Sequence, residues 1–269
     1  MRRDGHTLKG KWAVVTGGSS GIGLCFSQEL ARRGCSVVMV SNEEKIAACA
    51  REVAENYGVR ALGLLCDLTS AKAVDSVNAF LAANDVEPDF LINNAGIFSF
   101  APVGEMTEGR INCFIDLHVR SVTLLSREFG ERFCRRGSGR ILNMSSMSCW
   151  MPMPGLGMYA ATKAYIRVMT RSLHYELRDY GVTATVACPG GIATGLFGLP
   201  ENLKQLAVKI GALQTPEKFV RKAVDKMLSG RKQYINGWLN RISIPLVGIL
   251  PTWVRMQVKH RMLDKGIRR

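Results

Sequence analysis

Two stretches of this chain are apolar along their whole length, WAVVT at Trp12–Thr16 and SVVMV from Ser36. A strand with one wet face alternates apolar and polar residues, so runs without alternation are strands covered on both faces. Similar short runs recur at Ala61–Cys66, Phe90–Asn93, Arg140–Met144, Val182–Cys188 and Gln233–Asn236. Between them lie longer stretches with helical periodicity: Ile22–Arg33, Glu43–Tyr57, Ser70–Asn84, Ile111–Arg135, Tyr159–Tyr180 and Pro216–Ser229. Strand–helix alternation with doubly buried strands predicts an α/β fold, a parallel sheet between two helical layers. Right-handed crossovers make it doubly wound. A chain of 269 residues can fill one large core, and no linker or internal repeat divides it. We therefore expect one domain over 1–269, with 238–269 as a basic extension of it.

The charge narrows the partners. Formal net charge is +14, and residues 231–269 carry nine Lys/Arg against the single acid Asp264. Such a tail suits an anionic partner such as a membrane surface; a solvated face is the plainer alternative. It lacks the interleaved aromatics of a nucleic-acid stacking platform, so no nucleic acid is expected. The eight cysteines stand singly, without a C-x-x-C, and the four histidines have no zinc spacing. They read as reduced core thiols of a cytoplasmic protein, with no metal. The first residues, MRRDGHTLKGKW, have no apolar core of a signal peptide, and no run is long enough to span a bilayer.

Thr16-Gly17-Gly18-Ser19-Ser20-Gly21-Ile22-Gly23 follows the first strand and opens the first helix. Glycines allow a tight turn and close approach to a pyrophosphate, and a helix start offers free N–H groups and a positive dipole end. The spacing is T-G-x-x-x-G-x-G, and no Lys follows it as in a P-loop.

The stretch Ser145–Lys163 reads SSMSCWMPMPGLGMYAATK. Tyr159 and Lys163 are one helical turn apart on one face. A phenol titrates near ~10, and a neighbouring ammonium lowers that value, so the pair fits general acid/base chemistry. An ordinary amphipathic helix would carry the same two residues. Ser145 and Ser146, at the end of a strand, could polarise a substrate oxygen.

Taken together, T-G-x-x-x-G-x-G, Asn93-Asn94-Ala95-Gly96, a serine thirteen residues before Tyr159, Tyr159-x-x-x-Lys163 and Pro189-Gly190-x-x-x-Thr194 resemble the short-chain dehydrogenase/reductase family. The resemblance runs from about residue 9 to 237. It implies a Rossmann-like sheet of about seven strands ordered 3-2-1-4-5-6-7. It also implies a nicotinamide cofactor and hydride transfer to or from a carbonyl carbon. By position, Gly17, Ser19, Ser20, Gly21, Ile22 and Gly23 would cradle the phosphates. Asp67 and Leu68 would meet the adenine, Asp67 doubling as a helix cap. Asn94, Ala95 and Gly96 would line the ribose; Pro189, Gly190, Ile192 and Thr194 would close over the nicotinamide. Ser146 would polarise the substrate oxygen, Tyr159 would exchange the proton, and Lys163 would tune Tyr159 and bond the nicotinamide ribose. At the end of the second strand, Ser41 takes the place of the acid that repels a 2′-phosphate, and Asn42 follows it, which favours NADP(H) with NAD(H) as the alternative. One departure concerns the family's relay asparagine, whose place His118 takes. Either His118 serves the proton relay or it caps a helix bulge and the relay is rearranged.

On the substrate side, Met147, Trp150 and Met153, then Leu196 and Phe197, make an apolar wall and lid, implying a hydrophobic substrate. Beyond the last strand, Trp253 and the basic periodic stretch Val254–Lys265 fit a helix lying on an anionic membrane; a tail packed over the lid or a partner subunit is the alternative. The extension is similar to those of long-chain 3-oxoacyl and 3-ketosphinganine reductases and some steroid dehydrogenases. The expected activity is NADP(H)-dependent reduction of a long-chain, lipid-like ketone. A steroid-type dehydrogenase and a catalytically silent nucleotide sensor or scaffold are the alternatives. The family also implies a homodimer or homotetramer, paired through Ile111–Arg135 and Tyr159–Tyr180.

Overall fold

In a computed structural model of the chain, residues 7–192, 213–237, 240–242, 244, 247 and 249–263 are described. The elements are β1 (Trp12–Thr16), α1 (Gly21–Arg32), β2 (Ser36–Ser41), α2 (Ile46–Tyr57), β3 (Ala61–Leu65), α3 (Ala73–Ala83) and β4 (Phe90–Asn93). There follow α4 (Glu108–Phe114), a π-helical segment (Ile115–Arg120), α5 (Ser121–Arg136), β5 (Gly139–Met144) and α6 (Gly157–Arg178). The chain continues through β6 (Val182–Cys188), α7 (Pro216–Leu228), β7 (Gln233–Ile235) and α8 (Thr252–Met262).

The seven strands form one sheet, ordered β3-β2-β1-β4-β5-β6-β7, and every neighbouring pair is parallel. The absence of alternation in the strands has its cause in the two helical layers. Ala13, Val15, Val37 and Met39 face a core with Phe26 and Leu30 of α1 and Phe219 and Val224 of α7. Val14, Val38, Val40 and Leu91 face the other core, with Val77 and Leu81 of α3 and Phe129 and Phe133 of α5. Successive residues point to opposite faces, and both faces are dry.

Sequence-based helix boundaries shift where side chains compete with the first turn. The helix expected from Glu43 starts at Ile46, because Glu43 N–H donates to the Ser41 hydroxyl at 3.1 Å in a turn of its own. The helix expected from Ser70 starts at Ala73, because the Ser70 hydroxyl takes the Lys72 N–H at 3.2 Å. The single helix expected over Ile111–Arg135 is three pieces. It begins at Glu108, capped by the Thr107 hydroxyl, and passes through the π-helical turns of Ile115–Arg120. π turns cluster at functional sites, and His118 lies inside this one.

The order in which successive strands are added reverses between β1 and β4, although the strands stay parallel. Ligands of such sheets bind in the crevice at the carboxyl ends of the strands, at that switch point.

Candidate active site

A cleft of about 570 Å³ opens at that reversal, lined from the ends of β1, β2, β4, β5 and β6. At one end lies the glycine turn. Gly17 has φ +66°, and a Cβ there would come within 2.9 Å of Ala95 Cα; a Cβ at Gly23 would lie 2.0 Å from the Gly17 carbonyl oxygen. The backbone is therefore compressed where only glycine fits. Ser20 stands extended before α1 with no side-chain cap, so the first N–H groups of α1 are left for a ligand. The Thr16 hydroxyl accepts from Asn94 N–H at 2.9 Å and Ala95 N–H at 3.0 Å, and Asn94 Nδ2 donates to the Thr16 carbonyl at 3.0 Å. These bonds tie the phosphate turn to the end of β4.

Ser19, Ser20, Gly21, Ile22, Ser41, Asn42, Asp67, Leu68, Asn94, Ala95, Gly96, Pro189, Gly190 and Ile192 all line the cleft, while Gly23 packs behind Gly17. The Asp67 carboxylate accepts from the Thr69 N–H (2.9 Å) and hydroxyl (2.8 Å), so it shapes the turn as well as facing the cleft. Glu43 joins this corner. The Ser19 hydroxyl donates to its carboxylate, Ser19 and Ser41 hydroxyls meet at 2.9 Å, and Lys45 lies 3.3 Å away. The Ser19 hydroxyl, with Lys45 assisting, holds Glu43 below the usual carboxylate range. Ser41 stands at the position of the usual acid, and Glu43, two residues later, brings a negative charge to the same corner.

At the other end, Ser146, Tyr159 and Lys163 come together. Ser146 and Tyr159 both line the cleft, and the Ser146 hydroxyl oxygen accepts from Ser148 N–H at 3.1 Å. Ser145 is turned away, its hydroxyl donating to the Lys163 carbonyl at 2.7 Å. Lys163 is buried, its ammonium donates to the Met144 carbonyl at 3.0 Å, and burial lowers its pKa to about 8. The lowering of the Tyr159 pKa expected from the helical spacing is not present. Burial pushes the phenol up, only partly offset by Ser146, because Lys163 spends its hydrogen bond on Met144 and stands 5.8 Å from the tyrosine ring centre.

His118 is wholly buried and both its nitrogens are taken. Nε2 accepts the Ile97 N–H at 3.0 Å, so the proton sits on Nδ1, which donates to the Thr162 hydroxyl at 2.9 Å. Thr162 in turn donates to the Tyr159 carbonyl at 2.9 Å. Burial, then the charges of Lys163 and Arg110, push the imidazole down to about 2, so it stays neutral. Gly96 fits between: a Cβ there would meet His118 Nε2 at 2.9 Å and Lys163 Nζ at 3.4 Å. A water linking His118 to Lys163 would have to break one of the two ring bonds.

The short chain dehydrogenase family profile matches residues 11–202. This chain belongs to the short-chain dehydrogenase/reductase family. A very-long-chain 3-oxoacyl-CoA reductase of Macaca fascicularis is 30% identical over 94% of this chain and 80% of its own. The human inactive hydroxysteroid dehydrogenase-like protein 1 is 28% identical over 91% and 74%. Among solved structures, an NADP-bound, putative NAD(P)-dependent gluconate 5-dehydrogenase from Beutenbergia cavernae superposes with a TM-score of 0.76 at 31% identity, covering 87% of this chain and 98% of that one. This short-chain dehydrogenase/reductase is accordingly an NAD(P)-dependent oxidoreductase.

Met147, Trp150 and Met153 are not among the residues lining this dehydrogenase's cleft. The Trp150 ring is instead covered by the Arg167 guanidinium, 4.4 Å from its centre, and Arg167 is held by Gln233 at 3.3 Å. Thr194, Leu196 and Phe197 lie outside the described residues. Sequence reasoning assigned no role to Thr16, although it heads the glycine motif, nor to Phe98, whose ring packs edge-on against Tyr159 at 5.1 Å.

Proposed function

We propose that this dehydrogenase reduces the ketone of a hydrophobic, long-chain substrate of the 3-oxoacyl or 3-ketosphinganine type, using NADP(H). The observation that carries the reading is one cleft with an uncapped helix start at one end and Ser146, Tyr159 and buried Lys163 together at the other. Gly17, Ser19, Ser20, Gly21 and Ile22 would hold the cofactor phosphates; Asp67, Leu68, Asn94, Ala95 and Gly96 would hold the adenosine; and Pro189, Gly190 and Ile192 would hold the nicotinamide half. When bound, the nicotinamide supplies hydride to the carbonyl carbon. Ser146 donates a hydrogen bond to the carbonyl oxygen as negative charge gathers there, and Tyr159 delivers the proton. The raised phenol pKa keeps Tyr159 protonated and ready to donate; Lys163 stabilises the phenolate left behind. His118 acts here as a neutral strut between Ile97 and Thr162, positioning Tyr159.

The substrate class rests on the 3-oxoacyl-CoA reductase relatives and on the similarity of the basic extension to those of long-chain reductases. The oligomer reading rests on Leu124, Tyr165 and Val168, exposed apolar residues on α5 and α6. Ile249, Trp253 and Met256 are 76%, 68% and 40% exposed beside Arg255, Lys259 and Arg261, which favours peripheral contact with an anionic membrane. Among the described residues no helix is long and apolar enough to cross one. The tail also meets the site: Leu263 and Phe100 crowd the Gly155 position, and Asn240 crowds Gly190. A silent protein, as the human relative's name describes that relative, is disfavoured because Ser146, Tyr159 and Lys163 are all in place. The test is NADPH oxidation with 3-ketosphinganine, long-chain 3-oxoacyl thioesters and steroid ketones, wild type against Tyr159→Phe. Turnover on a long-chain ketone that falls at least a hundredfold in Tyr159→Phe supports the reading; no turnover on any long-chain ketone overturns it.

A further inference from the structure

Just beyond the last strand lies a buried polar side chain that the chemistry above does not use. Asn236 follows β7 directly and is 2% exposed. The β6–β7 register ends with Cys188 opposite Ile235, which places Asn236 beside Pro189. Proline has no N–H, so the backbone ladder stops there. The next N–H, that of Gly190, donates instead to Asn236 Oδ1 at 2.6 Å. On its other side Asn236 Nδ2 donates to Gln214 Oε1 at 2.9 Å. Gln214 returns to the same wall of the cleft: its N–H donates to the Gly191 carbonyl at 3.0 Å, and it bridges Ile192 in parallel. The C-terminal segment joins them. Gly237, at φ +70°, turns the chain so that Asn240 Nδ2 reaches back to the Asn236 carbonyl at 2.8 Å and to its Oδ1 at 3.2 Å. The Asn240 amide then lies against Gly190, where a Cβ would collide with it.

We propose that Asn236 is a positioning residue for the Pro189–Ile192 wall of the cleft, and that Asn240 ties this wall to the C-terminal segment. Pro189, Gly190 and Ile192 line the cleft, whereas Asn236 does not, so Asn236 acts through the Gly190 N–H. Its amide joins separate stretches of chain, at Gly190, Gln214 and Asn240. Removing the amide leaves the donors of Gly190 and Asn240 and the acceptor of Gln214 unpaired together, and such networks hold or loosen as a unit. The Pro189 carbonyl also accepts the Met147 N–H at 2.8 Å, so the wall is continuous with the turn that follows Ser146. That this wall meets the nicotinamide half of the cofactor is the reading given above, and the effect on cofactor binding rests on it. The adenosine end, at Gly17–Ile22 and Asp67, makes none of these bonds. Loss of Asn236 should therefore be felt at the nicotinamide half alone.

The experiment compares full-length wild type with Asn236→Leu, Asn236→Asp and Asn240→Ala. Leucine keeps the volume and removes every polar contact. Aspartate keeps the acceptor for the Gly190 N–H, and Gln214 can turn its NH2 toward the carboxylate. In the cofactor-free proteins, hydrogen exchange of peptides spanning Gly190 is followed by mass spectrometry. It should be about tenfold faster in Asn236→Leu, near wild type in Asn236→Asp, and intermediate in Asn240→Ala. Unchanged exchange in Asn236→Leu overturns the proposal. Fluorescence titration then measures NADPH binding, and calorimetry the binding of 2′,5′-ADP, which carries the adenosine phosphates without the nicotinamide. Asn236→Leu should weaken NADPH about tenfold and leave 2′,5′-ADP unchanged, with Asn236→Asp restoring most of the loss. Equal weakening of both ligands means general loosening and overturns the proposal. If Asn236→Leu does not fold, Asn240→Ala decides by the same measurements: a smaller loss confined to NADPH supports the proposal, and no selective loss overturns it. Exchange at Gly190 needs no cofactor, so failure of the hydrogen-bonded hub is distinguishable from failure of the cofactor reading, which would show as a wild type that binds neither ligand.

Discussion

Lys163 is a cation buried inside the protein, and replacing it tests how the site holds it. Burial lowers its pKa from 10.5 to about 8. That drop of about 2.5 units corresponds to about 3 kcal/mol against folding while the lysine is charged in both states. Between the two values the unfolded chain keeps a proton that the native chain has shed, so stability rises with pH there. The penalty is complete below about pH 8 and is lifted as pH approaches about 10.5. Lys163→Met removes the titration. It also forfeits the bond to the Met144 carbonyl and changes packing, but those terms do not vary with pH. The difference in unfolding free energy between wild type and Lys163→Met should therefore move in favour of wild type by about 2 kcal/mol from about pH 7 to about pH 9.5. Urea unfolding of the cofactor-free proteins at intervals over that range measures it, and the cysteines that titrate there are common to both. Lys163→Met should have negligible turnover throughout. Parallel stability profiles would refute the argument, because they would mean that the ammonium is as well solvated in the fold as in the unfolded chain.

Four further outcomes follow from the same structure. His118→Leu leaves the Ile97 N–H and the Thr162 hydroxyl without their partner and should cost about 2–5 kcal/mol in chemical unfolding, whereas His118→Asn should lose less and keep most turnover. Because the His118 pKa falls to about 2, wild type should also lose stability as pH drops below about 6.5, by up to about 1.4 kcal/mol per unit, a slope that His118→Asn flattens; equal slopes would contradict the neutral imidazole. Glu43→Gln removes the negative charge beside Ser19 and Ser41 and should lower the KM for NADPH about fivefold while leaving that for NADH nearly unchanged; an unaltered ratio would place the 2′-phosphate elsewhere. Trp253→Ser should weaken sedimentation with phosphatidylserine vesicles about tenfold, with the remaining binding abolished by salt; undiminished binding would remove α8 from the membrane contact.

The parts of this protein legible in its sequence are those whose cause is local. Trp12–Thr16 and Ser36–Ser41 read as doubly buried strands because each residue's face follows from its position alone, and Val14 and Val15 do enter opposite cores. The glycine turn is legible for the same reason: Gly17 and Gly23 are compressed against the turn itself and against Asn94. What could not be read depends on partners far along the chain. The π turn around His118 sits where Ile97 and Thr162 take the two ring nitrogens, and no periodicity in Ile111–Arg135 encodes those partners. Helical spacing places Tyr159 and Lys163 on one face, but whether an ammonium lowers a phenol pKa depends on where its hydrogen bond points. Here β5 ends one residue short of Ser145 and presents the Met144 carbonyl to Lys163. Trp150 likewise reads as substrate-facing until Arg167, seventeen residues on, covers it. The residue types at the site were thus readable as a set, while their protonation was not. Tyr159 and Lys163 are shifted chiefly by desolvation, a property of the whole packed sheet and its helices. It follows that the burial which makes the core stable also keeps Tyr159 protonated, so changes in packing around α6 should alter proton transfer without touching a residue that contacts substrate.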